Sequence, residues 1–514
     1  MAHTLRPVSN SVRTPVPDAS VSHASSGGLT LPSFVCGDSP GRNDAPLEHV
    51  HLVGVAGTGL RGMAGILTQR GLQVTGSEAS GSATVDDLRL RGVRCHVGHR
   101  FDNLAPETEL VVVSAAIRKD NPEVVAARQL GIPVLKYAEF LGVLMGEKQG
   151  IAVSGTHGKT TTTALLAHVL LENDEDPSFL VGGDCPDLGG SARWGDGPFL
   201  VAEACEFDRS FLNLRPRFAI VTNIEEEHLD YFQSIGEIQS AFAEFTRYLP
   251  EDGYLVLNAE DSQSRILSEH TSSAVGRFSL RRRGGDWWAS NIRRVERGTA
   301  DGFLRAGIAY TAESKDGESI DVNLPVPGIH NVKNSLAVIV LLRHLGMPLE
   351  NIVSAVESFA GVKRRFDVLL ESPVTVVDDY AHHPTEIETV VEAARDLYPD
   401  RRLRLVFQPH QYSRTHVFLD GFASVLAAAD EVLITEVFAA RDSEEDRARI
   451  NSRVVVDRVN ECGGNARYAP TFDFVESYLK QTCDAGDVVI CMGAGSITLL
   501  ARQIAGALTT ETAT

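Results

Sequence analysis

The chain has 514 residues, enough for about three domains of ordinary size. It carries 48 Lys+Arg against 68 Asp+Glu, a formal charge of −20, which disfavours general binding to nucleic acid or anionic membranes. Any phosphate ligand must therefore be held by local geometry, and the 43% apolar and 23% charged content is a globular balance, not a disordered one.

Residues 1–46 are rich in Ser, Pro, Gly and Thr and lack periodicity, which predicts a flexible extension without the apolar core of a signal peptide. A first block starts at Glu48. HVHLVGVAG reads as a buried strand, then a glycine-rich turn and a helix, LRGMAGILTQRG. LQVTGSE, ELVVVSAAI (109–117) and IPVLK read as further strands. This alternation is what a doubly wound parallel sheet requires.

A second block opens near residue 150 with the strand IAVSG, the turn GTHGKT and the helix TTTALLAHVLLEN. PFLVAEAC and FAIVTNI are further strands, and residues 276–325 alternate between Gly breaks as an antiparallel insert would. The helix NVKNSLAVIVLLRHLG and a second helix ending near Phe359 close the block. A third block begins near Gly361, with strands VTVVDDY, RLRLVFQPH, DEVLITEVF and GDVVICMGAG. Polar residues cluster where these strands end, which is where open α/β sheets place ligands. No run of about 18 apolar residues predicts a spanning helix. The seven cysteines (36, 95, 185, 205, 462, 483 and 491) form no CxxC pair, so a reducing cytosol fits better than a disulfide framework.

The strongest signal is Gly155-Thr156-His157-Gly158-Lys159-Thr160, between a strand and a helix. Glycines let backbone N–H groups converge on phosphate oxygens, and the helix N-terminus adds partial positive charge. Lys159 is suited to the β- and γ-phosphates, and the Thr160 hydroxyl to Mg²⁺. The spacing is two residues shorter than the usual phosphate-loop pattern. Glu203, Glu206 and Asp208 in VAEACEFD, and Glu225, Glu226, Glu227, His228 and Asp230 in TNIEEEHLD, follow buried strands. Of these, Glu203 and His228 are favoured as ligands of a hard cation, the rest remaining open.

Gly54, Gly57 and Gly59 resemble a dinucleotide loop out of phase, which leaves NAD(P) and a UDP-sugar as competing diphosphates. Glu78 ends the next strand, where an acid often meets a sugar or base. His330, Asn331 and Asn334 share a helix face and suit either capping or a nucleotide base. Lys363, Arg364 and Arg365 read as a solvated linker or as a hinge whose arginine meets phosphoryl charge. Tyr380, His382, His383, His410 and Arg414 lie after strands of the third block. Zinc is disfavoured there, because no histidine pair has helical ligand spacing and adjacent His382 and His383 project apart. Arg414 with His382 and His410 suits a small carboxylate.

GTHGKTTT, TNIEEEHLD, GIHNVKNSLA, GVKRRFD, DDYAHHPTE and QPHQYSRT follow one another in the order seen in Mur ligases. The chain resembles that family from about residue 48 to about 505. The resemblance implies an α/β fold in three domains: a Rossmann-like N-terminal domain (47–148) for the UDP-sugar, a central P-loop ATPase domain (149–360), and a Rossmann-like C-terminal domain (361–506) for the amino acid, with a flexible tail at 507–514. It implies an ATP- and Mg²⁺-dependent cytoplasmic ligase of cell-wall synthesis, a monomer or homodimer, which joins L-alanine to UDP-N-acetylmuramate. A relative that attaches a whole peptide to the same sugar ranks second.

Carried over by position, Gly57, Thr58, Gly59 and Ser114 would meet the UDP-sugar. Gly155, Thr156, His157, Gly158, Lys159, Thr160 and Thr161 would meet ATP, with His330, Asn331 and Asn334. Thr160, Glu203 and His228 would hold the metal. Lys159, Glu203, His228 and Arg365 would serve catalysis, and Tyr380, His382, His410 and Arg414 would surround the amino acid. The family's usual residues are replaced by Ala56, Leu60, Cys205 and Gln411, the last removing a cation from the expected carboxylate site. Two readings of other classes remain: a nicotinamide-dependent oxidoreductase, which would leave GTHGKT idle, and a nucleotide-binding regulatory module.

Overall fold

Three sheets organise the molecule in the computed structural model, which describes residues 29–30, 46–228, 231–282, 284–298, 304–440 and 442–509. Most of the expected extension (1–28 and 31–45) and the tail from 510 lie outside the described residues, as does Asp230. Leu29 is buried in the first core, and its carbonyl accepts the Leu47 N–H.

The first sheet has five parallel strands, in the order Arg94–Val97, Gln73–Glu78, His49–Val53, Leu110–Val113, Val134–Lys136. Its central strand, His49–Val53, is buried at every residue, as continuous apolar runs in parallel sheets are. The order reverses there, so the glycine turn opens at a topological switch point. The strand expected over 109–117 is shorter. It ends at Val113, where Ser114 N–H bonds back to Val53 and starts a turn.

The second sheet has ten strands with Gln149–Ser154 at its centre, flanked in parallel by Phe218–Val221 and Phe199–Glu203. Register pairs Val153 with Glu203 and Ser154 with Val221, so three strand ends deliver the phosphate loop and both acidic segments to one place. The antiparallel insert is real but not separate. Trp287–Gly298, Leu304–Ser314 and Ser319–Leu324 extend the same sheet at its edge, while Ala274–Ser279 is still parallel to its neighbour. Tyr310 and Val322 of this extension are buried in the core under the helix Ile329–His344, which is why the segment joins the domain.

The third sheet has six strands. Thr375–Asp379, Val488–Met492, Leu403–Phe407, Glu431–Ile434 and Ala466–Tyr468 are parallel in that order, and Asp367–Leu370 adds an antiparallel edge. Asp379 and Phe407 both register with Met492, which gathers the segments from Tyr380 and from Gln408 at one end. That end faces the phosphate loop.

Candidate active site

The turn after Ser154 is built for close backbone approach. Gly155 and Gly158 have φ of +128° and +82°. A Cβ on Gly155 would lie 2.1 Å from Thr222 Oγ1, and one on Gly158 would lie 2.8 Å from Asn334 Oδ1, so side chains are excluded by both strain and space. Thr156 N–H donates to Asn223 O (3.0 Å) and His157 N–H to Asn223 Oδ1 (2.9 Å). The helix Lys159–Glu172 follows directly, with Thr161 on its first turn at the cavity wall.

Lys159 Nζ donates to Gly155 O (2.5 Å), Thr156 O (3.0 Å) and both oxygens of Glu206 (3.1 and 3.0 Å). Burial opposes its charge, but Glu206, Cys205 and Glu203 together outweigh burial and raise the ammonium pKa. Glu206 is only 2% exposed, and burial holds its carboxyl above the usual range despite Lys159. Sequence reasoning left Glu206 open. Its fixed spacing from Glu203 was visible, but not which acid the lysine takes.

Thr160 Oγ1 donates to Glu203 Oε2 (3.2 Å), and Gly182 N–H donates to Glu203 Oε1 (2.5 Å). Burial raises the Glu203 pKa. A hydroxyl and a carboxylate desolvated at a helix N-terminus form the oxygen donor set a hard cation needs, and a cation would restore the charge that burial disfavours. His228 enters by another route: its Nε2 lies 3.8 Å from Glu206 Oε1, its ring packs on Phe207 at 4.9 Å, and its backbone has φ +56°.

A cavity of about 400 Å³ opens beside the loop. His157, Gly158, Thr160, His330, Asn334 and Arg365 line it. Burial, with Arg365 and Lys333 nearby, lowers the His330 pKa to about 4, so its imidazole is neutral. Asn331 does not line this cavity. It donates to Pro327 O (2.6 Å) and accepts from Asn334 Nδ2 (3.1 Å), so it positions its neighbour.

The third sheet closes the other side. Arg364 and Arg365 lie 4.7 and 5.1 Å from the Tyr380 ring centroid, and Arg365 Nη1 is 3.9 Å from Glu386. The Tyr380 and His382 rings are 5.4 Å apart, those of His382 and His410 5.8 Å. Arg414 Nη1 lies 3.1 Å from His410 Nδ1. All four residues expected around an amino acid are thus together. Arg414 also donates to Glu227 Oε1 from Nε (3.2 Å) and Nη2 (2.6 Å), a buried pair joining the third and middle domains. Burial opposes ionisation of Glu227, but Arg414 and neighbouring histidines hold its pKa far below the usual range. Gln411 is turned to the Ala440 carbonyl (2.9 Å) and supplies no replacement cation. Glu386 is a hub the sequence did not single out, 3.3 Å from His157 Nδ1 and 3.1 Å from His382 Nδ1.

At the first sheet, Gly57 precedes the helix Thr58–Gln69 and its N–H donates to Gly54 O (3.2 Å). A Cβ on Gly59 would lie 2.8 Å from the Tyr137 ring, and one on Gly54 3.1 Å from Ser114 Cβ. Glu78 also braces the turn. Its Oε2 accepts the Ala56 N–H (3.0 Å) and its Oε1 the Ala79 N–H (3.0 Å), so it ties down the glycine turn.

A phosphate loop facing a cluster of histidines and arginine on a neighbouring sheet marks a nucleotide-using enzyme, and family models give its kind. The Mur ligase family catalytic domain matches residues 49–149, the Mur ligase middle domain 153–342, and the Mur ligase glutamate ligase domain 364–495. The chain belongs to the Mur ligase family. A UDP-N-acetylmuramate–L-alanine ligase of Acetivibrio thermocellus is 40% identical over 454 residues, covering 88% of this chain and 94% of the relative. One of the same name from Agathobacter rectalis is 39% identical over 458 residues, covering 89% and 97%. Among solved structures, the UDP-N-acetylmuramate–alanine ligase of Thermotoga maritima has a TM-score of 0.75 at 29% identity, covering 90% of this chain and 99% of that one. A murein peptide ligase of Psychrobacter arcticus has a TM-score of 0.66 at 25% identity, with the same coverage.

Proposed function

We propose that this chain joins L-alanine to the lactyl carboxylate of UDP-N-acetylmuramate at the expense of ATP, in peptidoglycan synthesis. The observation that carries the reading is that Glu386 joins the phosphate loop to the His382–His410–Arg414 cluster, through His157 at 3.3 Å and His382 at 3.1 Å, in a chain 40% identical to a ligase of that name. The oxidoreductase reading leaves the phosphate loop without a task.

A carboxylate is a poor acylating agent because oxide is a poor leaving group. Transfer of the terminal phosphoryl group of ATP to the lactyl carboxylate makes an acyl phosphate. The neutral alanine amine attacks that carbonyl, a tetrahedral intermediate forms, and inorganic phosphate leaves. Lys159 and Arg365 neutralise the phosphoryl group in flight, which is the main task of a protein in such transfers. Thr160, Glu203 and His228 would hold Mg²⁺, which supplies further charge neutralisation on the phosphates. His330 and Asn334, positioned by Asn331, face the nucleotide, and Gly57, Thr58, Gly59 and Ser114 face the UDP-sugar diphosphate. Tyr380, His382, His410 and Arg414 receive the alanine. The same division assigns sugar, nucleotide and amino acid to the domains at 47–148, 149–360 and 361–506. Among the described residues no helix is long and apolar enough to cross a membrane.

The test is phosphate release with ATP, Mg²⁺, UDP-N-acetylmuramate and each amino acid in turn, with the product mass measured. Release that depends on sugar and alanine together, with a product heavier by one alanyl residue, is expected. Release without either, or turnover only with a peptide, overturns the proposal.

A further inference from the structure

Three side chains that no single motif groups converge between the middle and third sheets. His157 lies in the phosphate loop, Glu225 follows the strand Phe218–Val221, and His383 precedes the helix Pro384–Leu397. One ligand atom from each lies within 4.8 Å of the others. His157 Nε2 is 3.5 Å from Glu225 Oε2, and the two imidazole rings are 5.1 Å apart.

Proximity alone would be an ordinary ion pair, but two further observations point inward. Nε2 of His157 and Nε2 of His383 are both buried and make no hydrogen bond, although His383 is only 5% exposed. Leaving a buried polar atom unsatisfied is costly, so two such atoms on the imidazoles beside one carboxylate ask for a shared partner. The other nitrogen of His157 is already oriented, since Nδ1 lies 3.3 Å from Glu386 Oε1. A carboxylate on the far nitrogen is the usual support of a metal-binding imidazole, because it directs the free lone pair to the site. Thr385 Oγ1 steadies Glu225 in the same way, donating to Oε2 at 3.0 Å.

A proton between His157 and Glu225 serves two of the three groups and leaves His383 Nε2 unserved. We infer that His157, Glu225 and His383 form a binding site for a transition-metal dication such as Zn²⁺, apart from the position assigned to Mg²⁺ at Thr160, Glu203 and His228. Two imidazoles and one carboxylate suit zinc, whereas Mg²⁺ prefers oxygen ligands alone. The bound ion would tie the third sheet to the phosphate loop, with its open position toward the cavity that His157 and Glu225 line. The ion takes the Nε2 lone pair of His157, and any proton held there between His157 and Glu225 passes to solvent. His383 keeps its proton but moves it from Nε2 to Nδ1, giving up the 3.3 Å contact there with the Thr385 N–H.

The experiment measures Zn²⁺ binding by the full nucleotide-free chain against a chromophoric chelator, with calorimetry in buffers of different ionisation enthalpy. Glu225→Gln, His383→Gln and Glu203→Gln are compared with the parent. One equivalent should bind, persist in Glu203→Gln, and weaken by about 100-fold in the other two variants. Equal affinity in all four proteins, or loss confined to Glu203→Gln, overturns the site. If His383→Gln does not fold, as judged by its melting transition, the near-isosteric Glu225→Gln decides alone. Binding is read without catalysis, so the outcome is independent of the ligase assignment.

Discussion

Replacing Lys159 with methionine separates its work in catalysis from its work in folding. The ammonium has four acceptors, two of them the oxygens of the Glu206 carboxylate, which is 2% exposed and whose pKa burial already raises. Without Lys159, Glu206 takes up a proton instead of remaining a buried unpaired charge. The cost is then capped by protonating a carboxyl whose ordinary pKa is 4.5. At pH 7 that is about 3.4 kcal/mol, and at pH 5 about 0.7 kcal/mol, from 1.36 kcal/mol per pH unit. Lys159→Met should thus be destabilised strongly at pH 7 and weakly at pH 5 in urea unfolding. The double variant Lys159→Met/Glu206→Gln should regain most of the loss at pH 7. Neither should regain turnover: phosphate release should fall by roughly 10²–10³, the scale for removing one charge-stabilising donor, while the UDP-sugar still binds. A double variant as unstable at pH 7 as the single one would refute the pairing argument. Near-normal ligation by Lys159→Met would refute the phosphate-loop role.

Three other expectations can be checked with the same protein. Arg414→Ala should raise the alanine KM by more than the ATP KM, and it should also loosen the contact of the third domain, because Glu227 is left buried and unpaired; steady-state kinetics and hydrogen exchange around residues 225–228 read the two effects. Gly158→Ala should cost about 1–3 kcal/mol, since φ is +82° and the new methyl would lie 2.8 Å from Asn334 Oδ1; an unchanged midpoint in urea would contradict the strain. In a chelator, the contribution of His157, whose pKa is raised from 6.5 to about 9, should be fully present below pH 6.5 and lost as pH rises through 9. A fall of about 2–4 kcal/mol over that window, absent in His157→Gln, is the expected result of urea titrations across pH.

Local pattern was enough for much of this molecule. Continuous apolar runs such as HLV, IAVS and VVIC could only be strands buried on both faces, and the parallel sheets follow from their alternation with helices. GTHGKT was legible because its residues are contiguous and its two positive-φ glycines tolerate no side chain. Their place after strands was likewise enough to group His382, His410 and Arg414, whereas Tyr380 joined them through the resemblance.

What stayed hidden depends on chain segments brought together from far apart. His157 meets Glu386 across 229 residues, and Arg414 meets Glu227 across 187. Among the seven acids of the two segments, only packing decides that Glu206 takes Lys159 and Glu227 takes Arg414, while Glu203 takes Thr160. The adjacency of His382 and His383 argued against zinc within the third block, yet it sends His382 to His410 and His383 to His157 on the neighbouring sheet. Backbone periodicity and turn chemistry act between near neighbours, so the amino-acid order determines strands, helices and loops. The partner a buried charge finds is set by burial and by the meeting of three sheets, and that is decided only in the folded molecule.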